Sequence, residues 1–178
     1  MKKIFLSKPF IIFFTGMSAS GKSSISNLLI KRLKNLKIKK IINLDGDIFR
    51  KKNKNFSYNT NNRNKVGNQK IKFAKEYLNK KYIVIISGIG HDKFWRKKIK
   101  KTTKDYFEIY LKCPIKVCEK RDIKNQYIKA KKGLIKNFVG FNLKYQEGKS
   151  HDLTINTSRL TITKSVTKVL TFLKNKKY

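Results

Sequence analysis

The fold is decided by one stretch near the beginning of the chain, Gly16-Met17-Ser18-Ala19-Ser20-Gly21-Lys22-Ser23. Residues 10–14, which precede it, are all apolar and typical of a buried strand, and residues 24–36, which follow it, carry apolar side chains at helical spacing. Glycines let consecutive backbone N–H groups turn inward around phosphate oxygens, and the N-terminus of a helix adds positive potential there. A strand, this loop and a helix in succession therefore predict a binding site for a nucleoside triphosphate.

Two side chains of this loop add chemistry to its backbone. Lys22 can reach the β- and γ-phosphates, and the Ser23 hydroxyl can coordinate Mg²⁺. The stretch therefore predicts a magnesium-bound triphosphate as the ligand. The residues predicted to hold it are Gly16, Ser18, Ala19, Ser20, Gly21, Lys22, Ser23 and Ser24.

The chain has 178 residues and a formal net charge of +35. That length suits a single domain, residues 1–178, with a core of its own. Lysines are spread along the whole chain instead of being concentrated in one basic arm, which favours a solvated lysine coat over a nucleic-acid-binding surface. A nucleic-acid-binding protein that merely holds a nucleotide is the alternative from a different functional class.

Several features of the sequence predict a cytoplasmic protein. No stretch approaches the ~20 apolar residues that span a bilayer. The N-terminus imitates a secretory signal, but the apparent cleavage site falls inside the phosphate loop, so we do not expect export. Cys113 and Cys118 are too few for a disulfide framework or a metal site, and Cys118 is expected to be a small buried apolar side chain. His91 and His151 are expected to be surface or structural residues.

Apolar runs and helical patterns alternate along the chain. The runs that predict strands are residues 10–14, 40–44, 82–87, 107–111 and 153–155, and the helical patterns are residues 23–36, 62–79, 92–101, 115–121 and 161–174. This order predicts an α/β protein with the three-layer P-loop NTPase fold, in which helices cover both faces of a parallel five-stranded sheet. Ligands of such sheets bind at the carboxyl ends of the strands. Residues 51–61 and 122–140 lack firm periodicity, and we expect them to close over a substrate, the second as a lid.

Two aspartates stand one residue apart after the second predicted strand, in Leu44-Asp45-Gly46-Asp47-Ile48-Phe49-Arg50. Beside a phosphate loop, one carboxylate can hold Mg²⁺ while the other accepts a proton from an attacking hydroxyl. Arg50, about one helical turn later, can bind an anionic acceptor. The structural alternative is that Asp47 caps a short helix, which explains one aspartate but not the pair together with Arg50.

This aspartate motif is one of several through which the chain resembles the adenylylsulfate (APS) kinases, over residues 9–173 approximately. The others are Phe56-Ser57 followed by Arg63, Cys118-Glu119-x-Arg121-Asp122, and Ile135-Lys136-Asn137-Phe138-Val139-Gly140. The resemblance implies a kinase that uses ATP and Mg²⁺ to phosphorylate the 3′-hydroxyl of adenosine 5′-phosphosulfate. It also implies a homodimer and a place in sulfate assimilation.

The resemblance further implies roles for residues at the reaction centre. Asp47 is the candidate base, and Asp45 organises Mg²⁺ with Ser23. Lys22 acts on the transferred phosphoryl group, and Arg121 lies near the ATP.

For the acceptor, the resemblance implies binding by Asp47, Arg50, Phe56, Arg63, Ser87, Lys129 and Phe138. Phe56 and Phe138 sandwich the base, because aromatic rings stack on nucleobases. Arg50 and Arg63 bind the phosphosulfate, and Lys129 helps to hold the acceptor. The alternatives left open are core packing for the two phenylalanines and a solvated surface position for Lys129.

The chain also departs from the family pattern around the acceptor. The family's Asp-Arg-x-Glu-Asn reads Asn62-Arg63-Asn64-Lys65-Val66 here, and its Ile-Ser-Pro-Tyr-Arg reads Ile86-Ser87-Gly88-Ile89-Gly90. Asn125 stands where the lid usually has glycine. Because the phosphoryl-transfer residues are kept and the acceptor pocket is edited, a cytidine diphosphoramidate kinase of capsule biosynthesis is the second candidate within the family.

Overall fold

The computed structural model describes residues 8–45, 60–149 and 151–176. These residues form five strands, namely β1 (Ile11–Thr15), β2 (Ile41–Asp45), β3 (Ile83–Ser87), β4 (Tyr106–Lys112) and β5 (Leu153–Asn156). They also form six helices, namely α1 (Lys22–Asn35), α2 (Thr60–Asn79), α3 (Lys93–Thr102), α4 (Ile115–Lys120), α5 (Gln126–Lys131) and α6 (Ile162–Asn175).

The strands form one parallel sheet in the order β2-β3-β1-β4-β5. The central strand β1 is buried along its whole length, which explains why its sequence is continuously apolar instead of alternating. Asp45 at the end of β2 is the register partner of Ser87 at the end of β3. The carboxyl ends of the strands therefore lie along one edge, as the sequence predicts.

Alternate side chains of β1 point to opposite faces of the sheet and enter different cores. Ile12 and Phe14 pack in a core that includes residues of α1 and α6, whereas Ile11 and Phe13 pack in a core that includes residues of α2 and α3. The three-layer α/β arrangement is thus confirmed. No helix within the three described ranges has the length and apolar character needed to cross a membrane.

The predicted lid, residues 122–140, contains a helix that the sequence pattern did not reveal. This helix, α5, has six residues, and its buried side chains are those of Tyr127 and Ala130. Two apolar positions in so short a segment do not establish a helical period. It begins after Asn125, whose φ of 53° is left-handed. Asparagine tolerates that conformation better than most other residues, which explains how it replaces the glycine of the family pattern.

The other expectation of irregular structure concerned residues 51–61. Residues 60 and 61 instead begin α2, so the helix starts two residues before the expected boundary at residue 62. Residues 51–59 lie outside the described part of the chain.

Candidate active site

The phosphate loop joins β1 to α1 and depends on its two glycines. Gly16 has a φ of 145°, and a Cβ added there would lie 2.7 Å from the carbonyl oxygen of Leu111, so no larger residue fits. Gly21 has a φ of 94° and immediately precedes α1. The left-handed conformation at Gly21 turns the chain into the helix, and glycine adopts it without the strain that a Cβ would bring.

Lys22 curls back over this loop. Its Nζ donates hydrogen bonds to the carbonyl oxygens of Gly16, at 3.0 Å, and of Met17. The ammonium therefore lies in the hollow of the loop, beside the N-terminus of α1. Both features attract phosphate oxygens to the same place.

Ser23 and Asp45 meet beside the loop, as the resemblance to APS kinases implies. The Ser23 hydroxyl donates a hydrogen bond to Oδ2 of Asp45 across 2.8 Å. A hydroxyl and a carboxylate are hard oxygen ligands, and Mg²⁺ commonly takes one or two such protein oxygens together with phosphate oxygens and water. The donor set fits a magnesium-bound triphosphate.

A cavity of about 990 Å³ opens in front of the phosphate loop. One part of its wall is formed by the loop and the start of α1, and other parts by α2, the segment after β3, the lid, and the segment from Thr157 to the start of α6. The predicted site residues that line it are Ser18, Ala19, Gly21, Lys22, Ser23, Ser24, Asp45, Arg63, Ser87, Arg121 and Phe138.

The remaining predicted residues fall into two groups. Gly16 and Ser20 shape the loop from behind, with Ser20 fully buried, and Lys129 is exposed and is not part of the cavity lining. The solvated alternative for Lys129 describes its position here, and its role toward an acceptor stays a prediction. Asp47, Arg50 and Phe56 lie outside the described residues.

The lid contacts both the phosphate loop and α2, which form different parts of the cavity wall. Ser18 of the phosphate loop donates to Oε1 of Gln126 across 2.7 Å, and the Tyr127 hydroxyl donates to the Ser18 carbonyl at 3.2 Å. On the opposite side, Nη2 of Arg63 donates to the carbonyl oxygen of Asn137 at 2.9 Å. The lid thus joins the phosphate loop to α2, which brings the two predicted binding regions together.

Phe138 both packs against other core residues and lines the cavity. Its side chain is 4% exposed and packs edge-on against Tyr127, with ring centroids 4.8 Å apart, and it also lines the cavity. Ser87 lines the cavity as well, and its hydroxyl donates to Oγ of Ser26 at 3.3 Å. Arg121 is held by a hydrogen bond from Nη1 to the Thr157 carbonyl at 3.0 Å.

Three lining residues, Lys70, His91 and Trp95, were not singled out as site residues from the sequence. For Lys70 a signal was available, since it lies on the apolar face of α2, four residues after Val66 and four before Ala74. His91 is buried, which excludes the surface interpretation for it. Burial foremost, and then the charge of Arg63, lower the pKa of His91, so the ring is neutral at pH 7.

A buried ionic cluster supports the segment after β3. Nε of Arg96 lies 2.8 Å from Oε1 of Glu108, and Nδ1 of His151 lies 2.6 Å from the same oxygen. Burial alone would raise the pKa of Glu108, but His151 and Arg96 outweigh it and lower the pKa. Arg96 also donates to the carbonyls of Gly90 and Gln146, fixing the cavity wall. His151 is therefore structural, one of the two roles expected for it.

The apolar environment expected for Cys118 is confirmed. This residue is fully buried and packs in a cluster with Tyr127 and Phe138 beneath the lid. Burial foremost raises the pKa of its thiol to about 12, so the thiol is not ionised at neutral pH.

Comparison with known proteins gives a consistent answer. The family model described as adenylylsulphate kinase matches residues 8–156. The adenylyl-sulfate kinase of Staphylococcus epidermidis is 34% identical over 96% of this chain and 87% of its own length. That of Thermodesulfovibrio yellowstonii is 36% identical over 95% of this chain and 86% of its own length. The Mycobacterium tuberculosis APS kinase CysC, solved with AMPPNP and APS, superimposes with a TM-score of 0.88 at 28% identity, covering 94% of this chain and 98% of that one.

Proposed function

Because this chain belongs to the adenylylsulphate kinase family, we propose that it transfers the γ-phosphoryl group of ATP to the 3′-hydroxyl of adenosine 5′-phosphosulfate. The observation that carries the proposal is a single cavity, one wall of which suits a triphosphate and another of which suits a nucleotide acceptor. The phosphate loop, with Ser23 and Asp45 in contact, forms one wall, and Arg63 and Phe138 stand on another. Such a cavity can hold a triphosphate and a nucleotide acceptor at the same time.

Binding of the triphosphate is proposed from the geometry of the phosphate loop. The backbone N–H groups between Gly16 and Gly21 surround the phosphates, and Lys22 moves from the loop carbonyls to the phosphate oxygens. Ser23 and Asp45 would hold Mg²⁺, which neutralises charge on the phosphates when it is bound. Arg121, held by the Thr157 carbonyl, lines the cavity, and we propose that it lies near the ATP.

Binding of the acceptor is proposed to depend on one cation and one aromatic ring. Arg63 presents a planar guanidinium suited to phosphate or sulfate oxygens, and Phe138 presents a ring on which a base can stack. Asp47 as the base, with Arg50 and Phe56 as further acceptor contacts, completes the proposed site. Transfer then depends on positioning and electrostatic stabilisation of an in-line displacement.

One observation favours a second acceptor within the same family. Val66 lines the cavity with a buried apolar side chain at a position where the family pattern has asparagine. A pocket that lost a hydrogen-bonding group discriminates differently between bases, at about 1–3 kcal/mol per group. Cytidine diphosphoramidate is therefore the second acceptor to test.

The finer biological setting is also a proposal. The family resemblance favours a homodimer that acts in cytoplasmic sulfate assimilation. Sedimentation equilibrium of the purified chain tests the dimer, and a molar mass of one chain would contradict it.

The decisive experiment measures ADP formation with ATP and Mg²⁺ in the presence of each acceptor. We expect turnover that requires adenylylsulfate and that falls about a thousandfold or more in Asp47→Asn, because the amide cannot accept a proton. Asp105→Asn is the matched control. Asp105 directly precedes β4, at the amino ends of the strands, so we expect this variant to keep the wild-type rate.

The outcomes separate the alternatives. Turnover with cytidine diphosphoramidate alone would move the assignment to the second acceptor. No turnover, together with polynucleotide binding that weakens steeply with salt, would favour the nucleic-acid-binding alternative. An Asp47→Asn rate within a few-fold of the wild type would reject the proposed base.

A further inference from the structure

Lys70 is a buried cation that the roles above do not use. It lies on α2, its exposed fraction is 6%, and its Nζ donates to the carbonyl oxygen of Ser87 at 3.3 Å. Its neighbours on this face of the helix, Val66, Ile71 and Ala74, are buried apolar residues. Burying an ammonium among apolar side chains is costly unless a carbonyl or an anion compensates for the lost water.

The position of Lys70 places its charge at the edge of the sheet formed by the carboxyl ends of the strands. Ser87, whose carbonyl it contacts, is the register partner of Asp45, and neighbouring strands lie about 4.8 Å apart. The ammonium therefore contacts the backbone of β3 at its carboxyl end, beside the end of β2 where Asp45 lies. It also lines the cavity itself.

Lys70 reaches the cavity from the face of the sheet opposite to the phosphate loop helix. Side chains of α1 pack in one core, and Ile71 and Ala74 of α2 pack in the other. The triphosphate lies at the start of α1, so the charge of Lys70 belongs to the acceptor half of the cavity. Arg63, seven residues earlier on α2, lines the same half about 10 Å away along the helix axis.

Gly88 leaves room for this ammonium. A Cβ added at Gly88 would lie 3.8 Å from Nζ of Lys70 and 3.1 Å from a ring carbon of Phe13. A larger side chain would occupy the space between the ring and the ammonium. With glycine at this position, the ammonium borders the cavity directly.

We propose that Lys70 binds an anionic group of the nucleotide acceptor, a phosphate or sulfate oxygen, and so determines acceptor specificity together with Arg63. This inference rests on the proposed kinase function. An ammonium is a compact point charge that binds such oxygens without a fixed fork geometry, so it complements the planar guanidinium two helical turns away. The two cations contact different parts of one extended acceptor.

The test compares Lys70→Met, Lys70→Gln and Lys70→Arg with Lys72→Met, a control at an exposed position of the same helix. The KM for adenylylsulfate is measured at saturating ATP, and the KM for ATP at saturating acceptor. In Lys70→Met and Lys70→Gln we expect the acceptor KM to rise on the order of tenfold or more while the ATP KM stays within twofold. Lys70→Arg recovers most of the loss, and Lys72→Met behaves as wild type.

Thermal unfolding distinguishes binding from a structural role. Lys70→Met removes the buried charge together with its hydrogen bond to the Ser87 carbonyl, so the shift of its midpoint from that of the wild type measures the structural contribution of Lys70. A lower midpoint with equal rises in both KM values would overturn the proposal, as would an unchanged acceptor KM in both neutral variants. A wild type inactive with both acceptors would overturn the kinase function itself, and this inference with it.

Discussion

The hydroxyl of Ser23, at the start of α1, donates a hydrogen bond to Oδ2 of Asp45, at the end of β2, across 2.8 Å. The two residues are 22 positions apart, and parallel strands with a covering helix bring them together. The contact sets both oxygens beside the phosphate loop before any ligand arrives. A preorganised pair avoids the reorganisation that charge stabilisation would otherwise require.

The first prediction concerns the charge of Asp45. Asp45→Asn keeps an oxygen that can accept the Ser23 hydrogen bond but loses the negative charge that attracts Mg²⁺. We expect the rate at fixed ATP to fall about a hundredfold or more, and the Mg²⁺ concentration for half-maximal rate to rise. Rates measured across a magnesium titration check this, with Asp105→Asn as the control. A variant whose magnesium dependence matches the wild type would remove Asp45 from the metal site.

The second prediction concerns the guanidinium of Arg63, whose Nη2 donates to the Asn137 carbonyl in the lid. Arg63→Lys keeps the charge but loses the planar fork that can bind the acceptor and the lid together. We expect the KM for the acceptor to rise roughly tenfold and that for ATP to change less than twofold. Steady-state kinetics with each substrate varied in turn measure both values.

A matched control for Arg63→Lys is Arg32→Lys in the last turn of α1, far from the phosphate loop. This control should leave both KM values unchanged. Equal rises for ATP and acceptor in Arg63→Lys would contradict the proposed division of the cavity.

The third prediction concerns pH and His91. Burial and Arg63 lower its pKa below the ordinary value of 6.5. As the pH falls through 6.5, the unfolded chain therefore takes up a proton before the folded protein does, and stability is lost. The slope from one such group is at most about 1.4 kcal/mol per pH unit.

His91→Gln cannot take up this proton, so we expect its free energy of unfolding to depend less steeply on pH between 7.5 and 5.5. Urea unfolding at several pH values in that window gives the comparison. Identical slopes for the variant and the wild type would show that His91 does not carry this dependence.

The fourth prediction concerns the fully buried Arg96–Glu108 pair. Arg96→Met leaves the Glu108 carboxylate buried with only part of its compensation, so we expect a loss of about 3–5 kcal/mol in the free energy of unfolding. Replacing both partners by apolar residues, Arg96→Met with Glu108→Leu, should recover part of this loss. Urea denaturation of the single and double variants measures both effects.

The comparison for this pair is the more exposed ion pair between Lys100 and Asp152, whose atoms are also 2.8 Å apart. Lys100→Met should cost less than about 1 kcal/mol, because water already compensates part of that interaction. If Lys100→Met and Arg96→Met lowered the free energy of unfolding by similar amounts, burial would not set the strength of the Arg96 interaction.

Most of the fold was predictable because its signals are local. Residues 10–14 are continuously apolar since β1 is covered on both faces, and the observed boundaries of all five strands lie within two residues of the predicted ones. The closeness of the phosphate loop to the aspartate pair was predictable too, because parallel strands place their carboxyl ends at one edge. The resemblance to APS kinases implied that Asp45 is the aspartate that acts with Ser23. By contrast, α5 was missed, because six residues with two buried side chains show no period.

The sequence by itself determined the phosphate loop, the strand and helix order, and the types of side chain available for phosphoryl transfer, because each depends on neighbours within a few residues. Only the tertiary structure decided that Lys70 and His91 border the cavity, that Lys129 does not, and that Arg96 joins Glu108 beneath the cavity wall. Those facts depend on which face of each element is covered and on contacts across strands and helices. The spacing of Lys70 from Val66 and Ala74 indicates its face of the helix, but only the packing of that face against the sheet shows that its ammonium is buried beside the cavity.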